Sequence, residues 1–238
     1  MKHFKICLLL LVTLISAASV HAQTVDDIIN KHLDAIGGKD KLGQINSVYI
    51  EATTQIMGNS SPVKSTILNG KGYKNETEFN GQKLVRCYTD KSGWAINPFA
   101  GGDAPQALAD DEYKSVKDDI FIGGALFNYA ANKAGKAEFL GTENGTFKIK
   151  ITSADNVEAT YYIDTATFFL VKMVRQGAMQ GQQVEVAATF SDFKKTDGGM
   201  IMPYTTNIDF GGNFSLSTAI DKVETNKTID PAIFEMPK

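Results

Sequence analysis

Few residues in this chain can do covalent or metal chemistry, and those present are poorly spaced for it. The histidines are His3, His21 and His32. The first two lie in a stretch that reads as an export leader, which leaves His32 as the one imidazole of the mature chain. That removes histidine-based triads and argues against a histidine-ligated metal. His32 falls near an apolar helical stripe, where a structural or surface role is expected. Cys7 leaves with the leader as well. Cys87 remains, in the alternating run L-V-R-C-Y, and is expected to pack as a small apolar residue. No histidine stands near it to form a thiolate, and a single cysteine makes no internal disulfide.

Carboxylates gather as Asp26-Asp27, Asp110-Asp111-Glu112 and Asp118-Asp119. These positions suit helix starts, where acids cap and solubilise. An acid pair assembled in space for glycoside hydrolysis stays open as the catalytic alternative. Asp155-Asn156 and Asp197-Gly198-Gly199 are turn chemistry without calcium-loop spacing. No glycine cluster follows a strand and opens a helix as phosphate-binding loops do. The expectation is a protein that is not an enzyme, with no catalytic residues, no metal and no cofactor.

The leader spans residues 1–22. Lys2 and Lys5 precede the apolar run Ile6 to Ile15, and Val20-His21-Ala22 is a small-x-small cut site. The mature chain is then expected to start at Gln23 as an exported, periplasmic protein, with secretion as the variant. Cys7 opens the apolar run instead of following it, so a lipid-modified N-terminus is not expected. The formal net charge is −3, and it becomes more acidic when two lysines leave. That balance argues against nucleic acid as a partner.

What must be positioned is therefore apolar. Thr24 to Ile36 carries Val25, Ile28, Ile29, Leu33 and Ile36 at helical spacing, with Thr24 and Asp27 set for a capping box and Gly37-Gly38 as the stop. Lys39 to Ile45 adds a short turn. Strands follow at Ser47 to Met57, Val63 to Leu68, Tyr73 to Phe79, Lys83 to Thr89 and Trp94 to Asn97. Gly58 to Ser61, Asn69 to Gly72, Asn80-Gly81 and Asp90 to Gly93 turn between them. Such short links force an antiparallel meander. Gln106 to Tyr113 reads as helix. Val116 to Asn132 then breaks the alternation with a near-continuous apolar run holding Gly123-Gly124, a helical insertion with a movable joint.

Strands resume at Ala137 to Leu140, Thr146 to Thr152, Glu158 to Ile163, Phe168 to Arg175, Val184 to Phe193, Met200 to Phe210 and Phe214 to Glu224. The fold class is mainly β with α+β character: a curved antiparallel sheet forming an incomplete barrel, covered by the N-terminal and inserted helices. One domain is expected over residues 23–238.

The aromatic and thioether supply is large, with Phe 14, Tyr 8, Met 7 and a single Trp. Part of it is core. The candidates for an adaptable cavity wall or lid are Trp94, Phe99, Phe121, Leu126, Phe127, Phe169, Met173 and Met202.

Several blocks, taken in order, resemble a known family. They are D-D-I-I-N-K-H-L-D-A-I-G-G-K-D-K-L, G-W-A-I-N-P-F and A-E-F-L-G-T-E-N-G-T-F-K-I-K-I near the start and middle. Later come Y-Y-I-D-T-A-T-F-F-L-V-K-M-V, D-G-G-M-I-M-P-Y and D-P-A-I-F-E-M-P. The chain is similar to the outer-membrane lipoprotein-sorting family (LolA/LolB-like), in its divergent Bacteroidetes-type form. The resemblance implies an incomplete antiparallel barrel closed by helices, an apolar cavity for lipoprotein acyl chains, and shuttling between membranes without a cofactor. The family's carrier has an arginine in an early strand that helps hold the lid. Val48 to Met57 has none, and the chain contains only Arg86 and Arg175. The expected function is a monomeric carrier of lipoprotein acyl chains or another lipid, meeting membrane-associated donor and acceptor proteins. The alternatives are a non-catalytic envelope scaffold with a filled barrel and, further off, a carboxylate hydrolase.

Overall fold

The computed structural model describes residues 24–99, 102–179 and 182–237. The expected leader, residues 1–22, lies outside them. Helix α1 (Val25–Ala35) starts on the foreseen capping box: the Thr24 hydroxyl accepts from the Asp27 N–H, and the Asp27 carboxylate accepts from the Thr24 N–H, both at 3.1 Å. It buries Ile28, Ile29, His32 and Leu33 along one stripe. After the short α2 (Lys39–Gln44) comes the first meander: β1 (Ser47–Ile56), β2 (Asn59–Leu68), β3 (Gly72–Phe79), β4 (Gln82–Thr89), β5 (Gly93–Asn97) and β6 (Gly102–Ala107). Helix α3 (Asp110–Val116), a 3-10 turn (Lys117–Ile120) and α4 (Gly124–Asn132) form the insertion. The second meander is β7 (Lys136–Glu143), β8 (Thr146–Thr152), β9 (Glu158–Asp164), β10 (Leu170–Met179), β11 (Gln182–Lys195), β12 (Ile201–Phe210) and β13 (Ser215–Thr225), and a 3-10 turn (Pro231–Phe234) follows it.

The thirteen strands of the described residues make one antiparallel, curved, unclosed sheet in the order β6-β5-β4-β3-β2-β1-β13-β12-β11-β10-β9-β8-β7. The two meanders meet at the β1–β13 pair, where Ile50 faces Val223 and Thr54 faces Thr218. The two open edges are β6 and β7, and the insertion is the chain that joins them. The insertion crosses the concave side, where its Ile122, Leu126 and Phe127 join the core with Val48, Ile149 and Ile163.

The structure corrects four local expectations. The first hairpin turns on Met57-Gly58, both at positive φ (49° and 81°), so β2 already begins at Asn59. Gln106 and Ala107 are not helical. They pair with Ala95 and Trp94 as edge strand β6, where Pro105 is tolerated, and helix starts only at Asp110. Phe168 sits in the β9–β10 turn at φ 58°, and the strand begins at Leu170. The run Val116 to Asn132 is two pieces, because Phe121 is extended and Gly123 is left-handed.

The sheet is covered on both sides. On the concave side, α1, α2 and α4 pack on Val48, Ile149, Ile151 and Ile163. On the other side, Phe234 of the closing turn packs on Val85, Cys87 and Trp94.

Candidate functional site

Strand pairing decides which side chains can meet the insertion. Val48 faces Ile67, Ile67 faces Tyr73, and Tyr73 faces Tyr88, so these four share the concave face. Their neighbours along each strand point the other way. The insertion is fastened over this face from several sides. The Asn69 side chain bridges two segments: Nδ2 donates to the Ile45 carbonyl and Oδ1 accepts from the Ile122 N–H, each at 3.0 Å. The Gly70 N–H donates to the Ile120 carbonyl at 3.0 Å. The Tyr129 hydroxyl of α4 donates to Asp26 of α1 at 2.8 Å.

Both arginines of the chain serve the same attachment. Arg86 of β4 pairs with Glu112 of α3. Arg175 of β10 donates from Nη1 to the Ser115 carbonyl at 2.7 Å. The Arg86 pair is half-exposed and contributes at most ~1 kcal/mol. The Arg175 bond is part-buried and contributes about 1.5–3 kcal/mol as a charged donor.

Beneath the insertion lies a cavity of about 300 Å³, at the lower end of the range for small-molecule sites. Of the residues singled out from sequence, Phe121, Leu126, Met173 and Met202 are on its wall. The other four are not. Trp94 pairs with Cys87, one residue out of step with Tyr88, so it lies on the opposite face; its Nε1 donates to the Phe234 carbonyl at 2.9 Å. Phe99 is 58% exposed and edges onto Phe79. Phe127 is buried in the main core beside Gly123. Phe169 stacks on Phe193, one ring behind the wall.

Three polar residues on the wall were not singled out as its lining: His32, Asp119 and Tyr161. His32 bonds through Nδ1 to the Phe168 carbonyl at 2.8 Å. Burial pulls its pKa below the ordinary value and outweighs that bond, which favours the neutral ring. Burial pushes the Asp119 carboxyl up, partly offset by the Arg175 charge and by the Tyr88 hydroxyl donating to Oδ2 at 3.3 Å. Burial, then the Asp119 charge, raises the Tyr161 phenol. Nothing in the sequence distinguishes these residues, since they come from three distant segments and meet only on folding.

Cys87 is buried on the outer face, its thiol 3.4 Å from the Phe234 carbonyl, and burial pushes it up to about 12. It packs as expected. Among the described residues no group of three or more His, Cys, Asp or Glu is placed to hold a metal, and no helix is long and apolar enough to cross a membrane.

No protein-family model matches the sequence, and no curated protein matches it. Solved structures match in shape. A domain from Vibrio parahaemolyticus, described as an outer membrane lipoprotein-sorting protein, superposes with TM-score 0.57 at 13% identity, covering 88% of this chain and 95% of that one. A DUF1329 family protein from Desulfovibrio piger gives 0.57 at 13%, covering 89% and 97%. A LolA superfamily protein from Nitrosomonas europaea gives 0.56 at 11%, covering 87% and 96%. At such identities the likeness is one of fold, and over nearly all its described length this chain has the LolA-like fold, a curved, unclosed antiparallel sheet with helices across its concave side.

Proposed function

We propose that this chain is a carrier that holds an acyl chain, of a lipoprotein or of another lipidic ligand, in the cavity beneath the insertion. The observation that carries it is the composition of that space: about 300 Å³ walled by Val48, Ile50, Ile67, Leu126, Met173 and Met202. That volume has room for about ten waters, or for one apolar chain of similar bulk. A dry apolar chain there gains about 0.8 kcal/mol per buried methylene before ordering costs. No catalytic step is needed: uptake and release require only that the insertion swing at Phe121 to Gly124. The fold of the lipoprotein-sorting neighbours supports this use; the leader expected over residues 1–22 would place the carrier in the periplasm, between membrane-bound donors and acceptors. A monomer suffices, because one chain supplies both wall and lid.

Mass spectrometry of an organic extract from purified protein tests it. A stoichiometric acylated molecule is expected. Recovery of no lipid, together with no binding of a fluorescent fatty probe, would point instead to a filled scaffold. The leader is checked by sequencing the exported protein, which should begin at Gln23.

A further inference from the structure

The cavity is apolar on most sides, but its polar groups form a set. Asp119 is closely surrounded by protein atoms, which is what raises its carboxyl, and its accessible surface opens onto the cavity it lines. Its Oδ2 accepts from Tyr88, which leaves Oδ1 without a partner among the described residues. Tyr161 lines the same space, close enough to Asp119 to feel its charge, and its hydroxyl has no partner among the described residues. His32 is 4% exposed. Its Nδ1 meets a carbonyl and so carries the ring proton, which makes the unpartnered Nε2 an acceptor. Gly124 and Ala125, the first residues of α4, also line the cavity; the Gly124 N–H donates to the Phe121 carbonyl at 2.8 Å, and no side chain caps the helix start, which leaves the Ala125 N–H. The wall therefore offers two acceptors, Asp119 Oδ1 and His32 Nε2, and donors from the Tyr161 hydroxyl and the Ala125 N–H of α4.

Different ligand head groups meet this set differently. A bare hydrocarbon leaves every one of these groups desolvated and unpaired. A carboxylate brings a second negative charge up to Asp119. Arg175 lies near enough to temper that charge, but its Nη1 is engaged by the Ser115 carbonyl and it does not line the cavity. An ammonium satisfies Asp119 and offers nothing for Tyr161 to donate to. A carboxamide does both.

We propose that the cavity selects a long-chain ligand bearing an uncharged carboxamide, its N–H donating to Asp119 or His32 and its carbonyl accepting from Tyr161 or the first turn of α4. This rests on the carriage proposed above and adds the chemical class of the cargo. The test is displacement of a fluorescent alkyl probe at neutral pH by decanamide, decanoate, decylamine and decane. Decanamide should bind about tenfold more tightly than decanoate, the worth of one well-made hydrogen bond plus an avoided repulsion. Asp119→Asn should narrow that gap, and Tyr161→Phe should weaken decanamide alone; both keep the shape of the wall. If decanoate or decylamine matches decanamide on the wild-type protein, the selectivity is overturned while carriage stands. If the probe binds nowhere, carriage itself falls.

Discussion

Gly123 and Gly124 stand side by side at the joint of the insertion, and alanine at each should have different consequences. Gly123 sits at φ 93° and ψ 0°, between the extended Phe121 and helix α4. An L side chain in the left-handed region costs roughly 1–2 kcal/mol. A Cβ built at Gly123 would also lie 2.8 Å from Phe127 Cβ. Phe127 is buried in the main core and cannot turn aside without repacking, which adds about 1–3 kcal/mol. Gly124 has a positive φ of 63°, but its Cβ would meet nothing within 4 Å. Gly123→Ala should therefore cost ~2–5 kcal/mol and Gly124→Ala only ~1–2 kcal/mol.

The assay is urea unfolding of both variants, with midpoints compared at constant m, alongside hydrogen exchange of the α4 amides. Gly123→Ala should lower the midpoint more and should strip protection from α4 before the sheet. If Gly124→Ala costs as much, or if α4 keeps its protection in both, then Phe127 does not seat the joint as described.

Three other outcomes follow from buried groups. Phe234→Ala should cost about 3–5 kcal/mol. Because Trp94 is the only tryptophan and lies under that ring, its emission should shift to the red before strand signal is lost. His32 has a folded pKa below 6.5, so the unfolded chain takes up the proton first. Its contribution to stability is complete above 6.5 and is lost as pH falls below that toward the folded value. Urea midpoints of wild-type protein should drop through that window more steeply than those of His32→Gln. Cys87, with its thiol raised to about 12, should resist a thiol reagent at pH 8 in the native state and react once urea unfolds the chain.

Much of this architecture is legible in the residues themselves. The Thr24–Asp27 box, the Asn80-Gly81 turn and the alternation of Phe147, Ile149 and Ile151 against Lys148 and Lys150 act over a few residues, where propensity and capping decide. The misses are non-local. Gln106 and Ala107 join a strand because Ala95 and Trp94 offer an edge, and local preference does not reveal that edge. Trp94 reads as a cavity residue from sequence because alternation orders residues into two faces without saying which face the insertion covers. Here both faces are covered, and the closing turn takes the one with Trp94. By sequence Asp119 suits a helix start, and Tyr161 falls without distinction in the strand Glu158 to Ile163. Their shared wall exists only once β9 and the insertion meet. Asn69 reads as a turn residue, yet its side chain is what ties Ile45 to Ile122.

Carriage is tested most directly by filling the cavity and watching binding. Ala125 is half-buried on α4 and faces the space, so Ala125→Phe places a ring in it at little cost to the sheet. A fluorescent fatty probe should bind the wild-type chain at one site, saturably and no tighter than about micromolar, as ~8 kcal/mol of methylene burial before ordering costs allows. In Ala125→Phe, with unfolding midpoint nearly unchanged, that affinity should fall at least about tenfold, the equivalent of roughly two buried methylenes. Saturable binding that the ring leaves untouched, or no saturable binding in either protein, would contradict a ligand held beneath the insertion.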